Sequence, residues 1–562
     1  MDQGQPSSAG GQRTGTRVEL LPRAASATTK VALLRPPWVI ILESSGVLQP
    51  TPPVGLAYVA ATLRTQGHEV QVIDAPGEAM EAAEEFPVPQ GTVRRIGLTP
   101  TEMVERIEPG TQLIGLTNMF AHEWPTVREV AELARERFPE ATIILGGENA
   151  TAMWTWVFEQ TDAIDAVVLG EGERAAAEVA HRVAQGATLA GVEGLALREV
   201  PEGEEHEAKL PVRMRHLEEI PRPAWDLFPL ESYWRHTCST GVDRGRTLPI
   251  LATRGCPYKC SFCSSPNMWT TRYIVRDPED VADEIEHYAR TYGVRNVDFV
   301  DLTPMTKRSW ILKLSDELEA RGLDVSLQLP IGTRSEALDE EVLRRMAAAG
   351  TTNITFAPES GSPHMLEVYD KRLDLDHVLD AIRAARRAGM ITNIHMIIGH
   401  PEERWMDRWH NWTFMMRAAL AGLHVAGTTI FYPYPGSRDF KDLVAAGRLT
   451  VDDAYCYDCL TRGGGGSTHQ FNPQLSVKQL HLVQLFMITS FLAVSHLLHP
   501  SQLVHLIKTQ FFGAQETNFI EQGLKTKRKG PMSRRRPGLP APRVLDAPPV
   551  PLRVADRDST AA

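Results

Sequence analysis

Short apolar runs alternate with helical stretches twice along this 562-residue chain, and that alternation constrains the fold more than any other feature. In the first block the runs are Val31–Leu34, Glu69–Ile73, Leu113–Leu116, Thr142–Leu145 and Ala166–Leu169, with helical stretches at Gly55–Arg64 and Thr126–Arg137. In the second block the runs are Leu248–Thr253, Asn296–Val300, Val325–Leu329, Asn353–Phe356, Thr392–Ile398 and Ala426–Phe431. Helices are expected between them at Pro278–Tyr292, Ser309–Arg321, Glu340–Ala349, Leu375–Ala388 and Asp407–Leu420. Runs this short and this apolar read as strands buried on both faces, and their alternation with helices predicts parallel sheets. The fold class is therefore α/β, with a doubly wound sheet followed by six strand–helix pairs that suggest a partial parallel barrel. Ligands on both architectures sit beyond the carboxyl ends of the strands.

Those ends carry the polar and small residues. In the first block they are Thr117, Asn118 and Met119, then Gly146 and Gly147, then Gly170, Glu171 and Gly172. One glycine pair could be no more than a tight strand-to-helix turn, but three such sites on one sheet favour a large ligand approaching the backbone closely. The dinucleotide fingerprint Gly-x-Gly-x-x-Gly is absent, which argues against a nicotinamide or flavin dinucleotide. In the second block, Asp301 follows the second strand. Gln328 lies in the third with Arg334 after it, Glu359 and Ser360 follow the fourth, His395 and Gly399 belong to the fifth, and Tyr432 and Tyr434 follow the sixth. Each residue has a plain structural alternative: a cap for Asp301 or Glu359, a surface ion pair for Arg334, proline packing for Tyr434. Their recurrence at one end of a barrel favours a site.

The chemistry is concentrated in Cys256-Pro-Tyr-Lys-Cys260-Ser-Phe-Cys263, directly after the first strand of the second block. Three thiolates on one loop can share a metal centre. Three rather than four ligands leave one iron of an iron–sulfur cluster open, as a catalytic centre requires and a structural one avoids. Structural zinc would need a fourth ligand, Cys238 or His236, some way upstream, and the spacing is not a usual one for zinc. Six cysteines in a chain of this length, three of them bunched, do not make a disulfide framework.

This loop resembles the signature of the radical S-adenosylmethionine (SAM) enzymes. The resemblance implies that Cys256, Cys260 and Cys263 hold a 4Fe-4S cluster whose fourth iron takes SAM, with Phe262 near the adenine. It also implies SAM contacts at Asp301, Gln328, Arg334, Glu359, Ser360 and Gly399, and a substrate cleft lined by His395, Tyr432 and Tyr434. Ahead of the loop, Thr51-Pro-Pro53-Val-Gly55, Val72-Ile-Asp74, Ile144-Leu-Gly-Gly147 and Val168-Leu-Gly-Glu-Gly-Glu173 resemble the Rossmann-like cobalamin-binding domain found before many radical SAM cores. That likeness implies cobalamin contacts at Thr51, Pro53, Gly55, Thr117, Asn118, Met119, Gly146, Gly147, Gly170, Glu171 and Gly172. The Asp-x-His-x-x-Gly motif that supplies a cobalt ligand in other cobalamin proteins is missing; Arg35-Pro-Pro-Trp-Val39 stands there instead. The implied activity is SAM cleavage to a 5′-deoxyadenosyl radical and methylation of an unactivated carbon on a natural-product or lipid-like substrate. Cyclisation or oxidation on the same architecture is the alternative enzyme reading, and a cobalamin-binding sensor with a structural metal site is the non-enzyme one. A methylthiotransferase is disfavoured, because no cysteine precedes Cys238.

The expected organisation is a disordered leader (1–29), cobalamin-binding domain (30–199), Pro-rich connector (200–247), radical SAM core (248–445), helical C-terminal region (446–524) and basic, Pro-rich disordered tail (525–562). The formal charge of −11 argues against nucleic-acid binding by the body of the protein. Residues 1–29 lack the apolar segment of a signal peptide, so a reducing cytoplasmic compartment is expected. Cys456 and Cys459 are expected to remain unligated, and Gly463–Gly466 to form a flexible loop over the cleft. Leu480–Leu498 is apolar but interrupted by polar residues, and seven basic residues follow in Lys525–Arg536. A core-covering helix is the preferred reading there, and peripheral membrane contact the alternative. The remaining expected partners are a small-molecule substrate and an electron donor of flavodoxin or ferredoxin type.

Overall fold

The computed structural model describes residues 28–44, 49–464, 469–518 and 520–524. The expectations for most of the leader, for residues 465 and 466 of the glycine run, and for the basic tail lie outside the described residues.

The first sheet contains β1 (Lys30–Arg35), β2 (Glu69–Asp74), β3 (Leu113–Thr117), β4 (Thr142–Gly146), β5 (Ala166–Val168) and β6 (Leu195–Leu197). Their order is β2-β1-β3-β4-β5-β6, parallel except for β6. The order reverses between β1 and β3, where the connections leave on opposite faces and open a crevice at the carboxyl ends. Val31, Leu33, Leu113 and Ile144 face helix α1 (Val54–Thr65) and the helix Gly172–Gln185. Ala32, Leu34, Ile114, Ile143 and Leu145 face the other layer, centred on Trp124. Burial on both faces explains why these strands read as continuous apolar runs. A three-stranded antiparallel sheet of Trp38–Ile41, Ala83–Val88 and Gly91–Ile96 is an addition that the apolar runs do not foretell. Its strand Ala83–Val88 alternates exposed with partly buried residues and contains Pro87, which hides it from a search for apolar runs.

The second sheet is β7 (Thr247–Ile250), β8 (Asn296–Phe299), β9 (Ser326–Thr333), β10 (Thr351–Glu359), β11 (Ile391–Ile398) and β12 (Val425–Ile430). They are parallel and paired in sequence order, as a six-stranded open barrel requires. The run Leu248–Thr253 breaks into two elements: Thr253–Arg254 leaves the barrel and pairs antiparallel with Ile274–Val275. That small hairpin carries the cysteine loop. Its following helix, Pro278–Tyr292, starts at Asp277, which caps the Glu279 amide, and ends at Gly293 in the left-handed region. Val281, Ala282, Ile285 and Tyr288 form its buried stripe.

Beyond the barrel, α2 (Trp405–Ala421) packs against α3 (Val477–Leu498), which is followed by α4 (Pro500–Phe511). Helix α3 buries Leu480, Gln484, Met487, Phe491 and Ser495, a single stripe spaced by three or four residues. Gln484 donates to the Thr428 carbonyl at 2.6 Å, so one of its polar interruptions ties the helix to β12. By length and composition α3 could cross a membrane, but this stripe seats it on the barrel.

The two sheets are joined by buried ion pairs. Glu171, after β5, accepts from Arg254 Nη1 at 3.1 Å and from Arg213 Nε at 2.7 Å, while Glu173 pairs with the other arm of Arg254. The side chains in these pairs are no more than 7% exposed. The Arg254 guanidinium lies 5.3 Å from the Tyr58 ring and that of Arg213 5.1 Å from the Trp269 ring. Charges removed from water this completely are tolerated only when matched. Arg254→Met leaves two buried carboxylates short of a cation and is expected to cost about 3–5 kcal/mol in urea unfolding. Combining it with Glu173→Gln should recover part of that loss, whereas a simple packing defect would not be relieved.

Candidate active site

The carboxyl ends of the two sheets face each other, and the cysteine loop lies between them. Gly255 starts the loop with φ +86°, and a Cβ there would lie 2.3 Å from the Arg272 carbonyl oxygen, so only glycine fits. The Ser261 amide donates to the Tyr369 carbonyl at 3.0 Å and its hydroxyl to Asp439 at 3.1 Å. Ser264 bonds to Glu148, the first residue of the helix after β4. The Arg334 guanidinium sits 3.7 Å from the Tyr258 ring centroid. The loop is thus held by both sheets.

Cys256, Cys260 and Cys263 are free thiols and half-buried. They lie within electrostatic reach of one another. Burial pushes all three thiols up, Cys263 to about 12. Thiolate is then favoured only when a metal takes the place of the proton. No three His, Cys, Asp or Glu side chains among the described residues converge on a point that would hold a single metal ion. Ligands to separate irons of a multi-iron cluster need not converge in that way, and three thiols on one loop can supply them. Cys238 packs with Met80 and Tyr233 in another cluster.

Around the loop, Phe262 meets Tyr369 edge-on at 5.1 Å, with Lys371 Nζ 5.9 Å from the Phe262 ring. Lys371 also pairs with Glu359 at 3.2 Å. Glu359 has φ +63°, an unusual backbone for a residue with a side chain. Asp301 accepts from the Thr253 hydroxyl at 2.6 Å through Oδ1, while its buried Oδ2 has no hydrogen-bond partner. Burial pushes this carboxyl up to about 6. Thr303 Oγ1, Ser335 Oγ and Ser265 Oγ are likewise buried without partners. Four unsatisfied polar atoms near the barrel's carboxyl end are what a polar ligand such as SAM would satisfy.

The first sheet repeats the pattern. Trp38 Nε1 after β1, His122 Nε2 after β3 and Asn149 Oδ1 after β4 are buried and unpartnered. Met119 and Phe120 are exposed, and Gly55, at the start of α1 beyond Thr51 and Pro53, faces open space. These features border the crevice at the order reversal and fit a large ligand edged with amides. Thr117, Asn118, Gly146 and Gly147 come together at the β3 and β4 ends: the Asn118 amide donates to the Gly146 carbonyl at 2.7 Å, and a Cβ on Gly147 would strike the Asn118 carbonyl.

Several expected contacts lie elsewhere. Gln328 is at the opposite, amino end of the barrel, where its side-chain amide donates to the Val242 carbonyl and to Asn296 and accepts from the Val242 amide. This placement withdraws it from a SAM site. Ser360 is fully buried and donates to Asn411 at 2.7 Å. A Cβ on Gly399 would meet Leu480 at 2.7 Å, so this glycine serves helix packing. Glu171 is engaged in the buried ion pairs, and Gly170 abuts Leu210, Pro211 and Met268. Arg334 is paired with Glu336 and the Arg372 carbonyl, so its visible work is on Tyr258. Of the expected cleft residues, Tyr432 is buried, stacked on Tyr455 at 5.1 Å and donating to its carbonyl, and Tyr434 meets Tyr432 edge-on at 5.3 Å; burial, with Arg462 and Lys371, favours neutral His395 against the opposing pull of Glu359. Lys371, Glu148 and Arg462 were not foreseen, since nothing in their local sequence marks them, and Tyr258 stood inside the cysteine motif without a role. Cys456 and Cys459 are free, the latter with its sulfur 3.3 Å from His122 Nδ1.

The family model described as the radical SAM superfamily matches residues 250–411, and the B12 binding domain matches residues 45–180. An uncharacterized methyltransferase of Pyrococcus horikoshii is 27% identical over 394 residues, covering 70% of this chain and 79% of its own. The anaerobic magnesium-protoporphyrin IX monomethyl ester cyclase of Cereibacter sphaeroides is 32% identical over 284 residues, covering 49% of this chain and 44% of its own. Among solved structures, the radical SAM methyltransferase TsrM of Kitasatospora setae, with cobalamin and a 4Fe-4S cluster bound, superposes with a TM-score of 0.58. It is 18% identical, and the match covers 83% of this chain and 89% of that one. The chain is an enzyme that joins a B12 binding domain, residues 45–180, to a radical SAM domain, residues 250–411, on a fold shared with a cobalamin-binding radical SAM methyltransferase.

Proposed function

We propose that this enzyme transfers a methyl group to an unactivated carbon of a small organic substrate held between the two sheets. The observation that carries this reading is the pairing of three free thiols on a loop held from both sides with unsatisfied polar atoms at the facing strand ends. When bound, a 4Fe-4S cluster with SAM supplies a hydrogen-abstracting radical, and cobalamin a transferable methyl group. Cys256, Cys260 and Cys263 would hold the cluster. Arg334 stacked on Tyr258, Ser261 on Tyr369 and Ser264 on Glu148 fix the loop. Asp301 Oδ2 would accept a hydrogen bond from SAM, and Glu359 with Lys371 would line the same side near Phe262. Thr51–Gly55, Thr117–Met119 and Gly146–Gly147 would border cobalamin. His395, Tyr432 and Tyr434 would line the substrate space and keep it dry. The working units would be residues 30–199, 200–247, 248–445 and 446–524, with electrons delivered by a small flavodoxin- or ferredoxin-type donor.

The cyclase among the relatives makes ring closure the second reading. Product counting after anaerobic reconstitution separates the two. C-methylation yields S-adenosylhomocysteine and 5′-deoxyadenosine in equal amounts, whereas ring closure yields the second alone. Cys260→Ala should lose cluster iron and both products while retaining cobalamin in its absorbance spectrum. Retention of iron by that variant would contradict the ligand assignment.

We also propose that the C-terminal helices rest on an anionic membrane. Trp405 (64% exposed) and Trp409 of α2, Leu485 and Phe486 of α3 and Ile507 and Phe511 of α4 are exposed apolar side chains, and the basic run Lys525–Arg536 follows them in sequence. An apolar face beside a basic segment suits such a surface. Co-flotation should occur with phosphatidylglycerol vesicles but not with phosphatidylcholine, and Trp405→Ser with Trp409→Ser should weaken it. Equal flotation with both lipids, or none, would refute the membrane contact.

A further inference from the structure

Arg462 is a half-buried cation that differs from the chain's buried arginines. Arg35 pairs with Asp74, Arg254 with Glu171 and Glu173, and Arg276 with Asp280 and Glu284. Arg462 pairs with no carboxylate among the described residues. Its guanidinium lies 4.9 Å from the Tyr434 ring, and its Nε donates to the Cys459 carbonyl at 3.1 Å. Its carbonyl accepts from the Ile430 amide at 3.1 Å and from Gln484 Nε2 at 3.2 Å. The backbone is therefore fixed to the end of β12 and to α3. Burial pulls the guanidinium down to about 10, with Tyr432 alone opposing. The histidines that feel its charge, His122 after β3 and His395 on β11, are both shifted toward the neutral form, by burial first and then by Arg462. No carboxylate among the described residues answers this charge, which leaves the guanidinium open to an incoming anion.

The position distinguishes among anions. Lys371 and Arg334 are the cations that act on Cys256 and Cys260, so the region where SAM would bind has its own positive charge. Arg462 instead bonds to Cys459, whose sulfur is 3.3 Å from His122 after β3, and lies beside Tyr434 after β12, which puts it where the two sets of strand ends meet. We propose that Arg462 recognises an oxyanion, carboxylate or phosphoryl, on the small-molecule substrate, with the Tyr434 ring holding the guanidinium in place. This rests on the reading of the cleft as a substrate site.

The test uses the full-length enzyme reconstituted with iron, sulfide, cobalamin and SAM. Inorganic phosphate and acetate are titrated calorimetrically into wild type, Arg462→Met and Arg462→Lys. At least one anion should bind wild type saturably, about tenfold more weakly to the Met variant, and with recovery in the Lys variant. SAM affinity and cobalamin retention should stay within about twofold of wild type in all three. Should the Met variant fail to fold, Arg462→Gln replaces it, with the same outcomes expected. Equal anion binding by wild type and charge-free variant, or no anion binding by wild type, would overturn the proposal. A tenfold loss of SAM or cobalamin affinity would also overturn it, because the charge would then serve a cofactor. Failure of wild type to cleave SAM would count against the reaction and leave the anion titration to be judged separately.

Discussion

Two guanidinium groups and two carboxylates, nearly removed from solvent, hold the first sheet against the barrel at the point where the cysteine loop begins. Glu171 and Glu173 stand at the carboxyl end of β5, and Arg254 is two residues before Cys256. Any rotation of one sheet against the other would separate these charges in a low-dielectric interior, where each unpaired ion costs several kcal/mol. The same contact therefore fixes the distance between the two sets of strand ends and the starting position of the loop.

The facing ends then acquire their chemistry from burial. Buried thiols resist ionisation in the absence of metal, Asp301 keeps one oxygen unused, and His122 and His395 are held neutral. Positive charge is distributed at two points: Lys371 with Arg334 beside the cysteine loop, and Arg462 farther into the cleft. Behind these ends Phe431 and Tyr432 are buried, with Tyr434 packed edge-on against Tyr432. Dryness matters for radical chemistry, because a reactive carbon centre must meet its intended partner and nothing else.

Both sheets were legible in the sequence because strands buried on two faces leave uninterrupted apolar runs, and helices such as Pro278–Tyr292 carry a proline at the start and a glycine at the end. The cysteine loop was legible because its spacing is local. The contacts of Gln328, Gly399 and Glu171 were not. Which end of a strand a polar residue occupies depends on where the strand starts, and β9 begins only two residues before Gln328. Gly399 answers to Leu480 and Glu171 to Arg254, both some eighty residues away, and no local pattern encodes such partners. Arg462 was hidden for the same reason: only the packed structure reveals that no carboxylate among the described residues accompanies it.

Three thiolates for four irons would leave one iron of a cluster open to SAM. Mössbauer spectroscopy of the enzyme reconstituted anaerobically with iron-57 tests it most directly. The expected result is a 4Fe-4S signal in which adding SAM shifts one iron in four and leaves the others unchanged. A spectrum indifferent to SAM, or protein that takes up zinc and no iron under the same conditions, would contradict it.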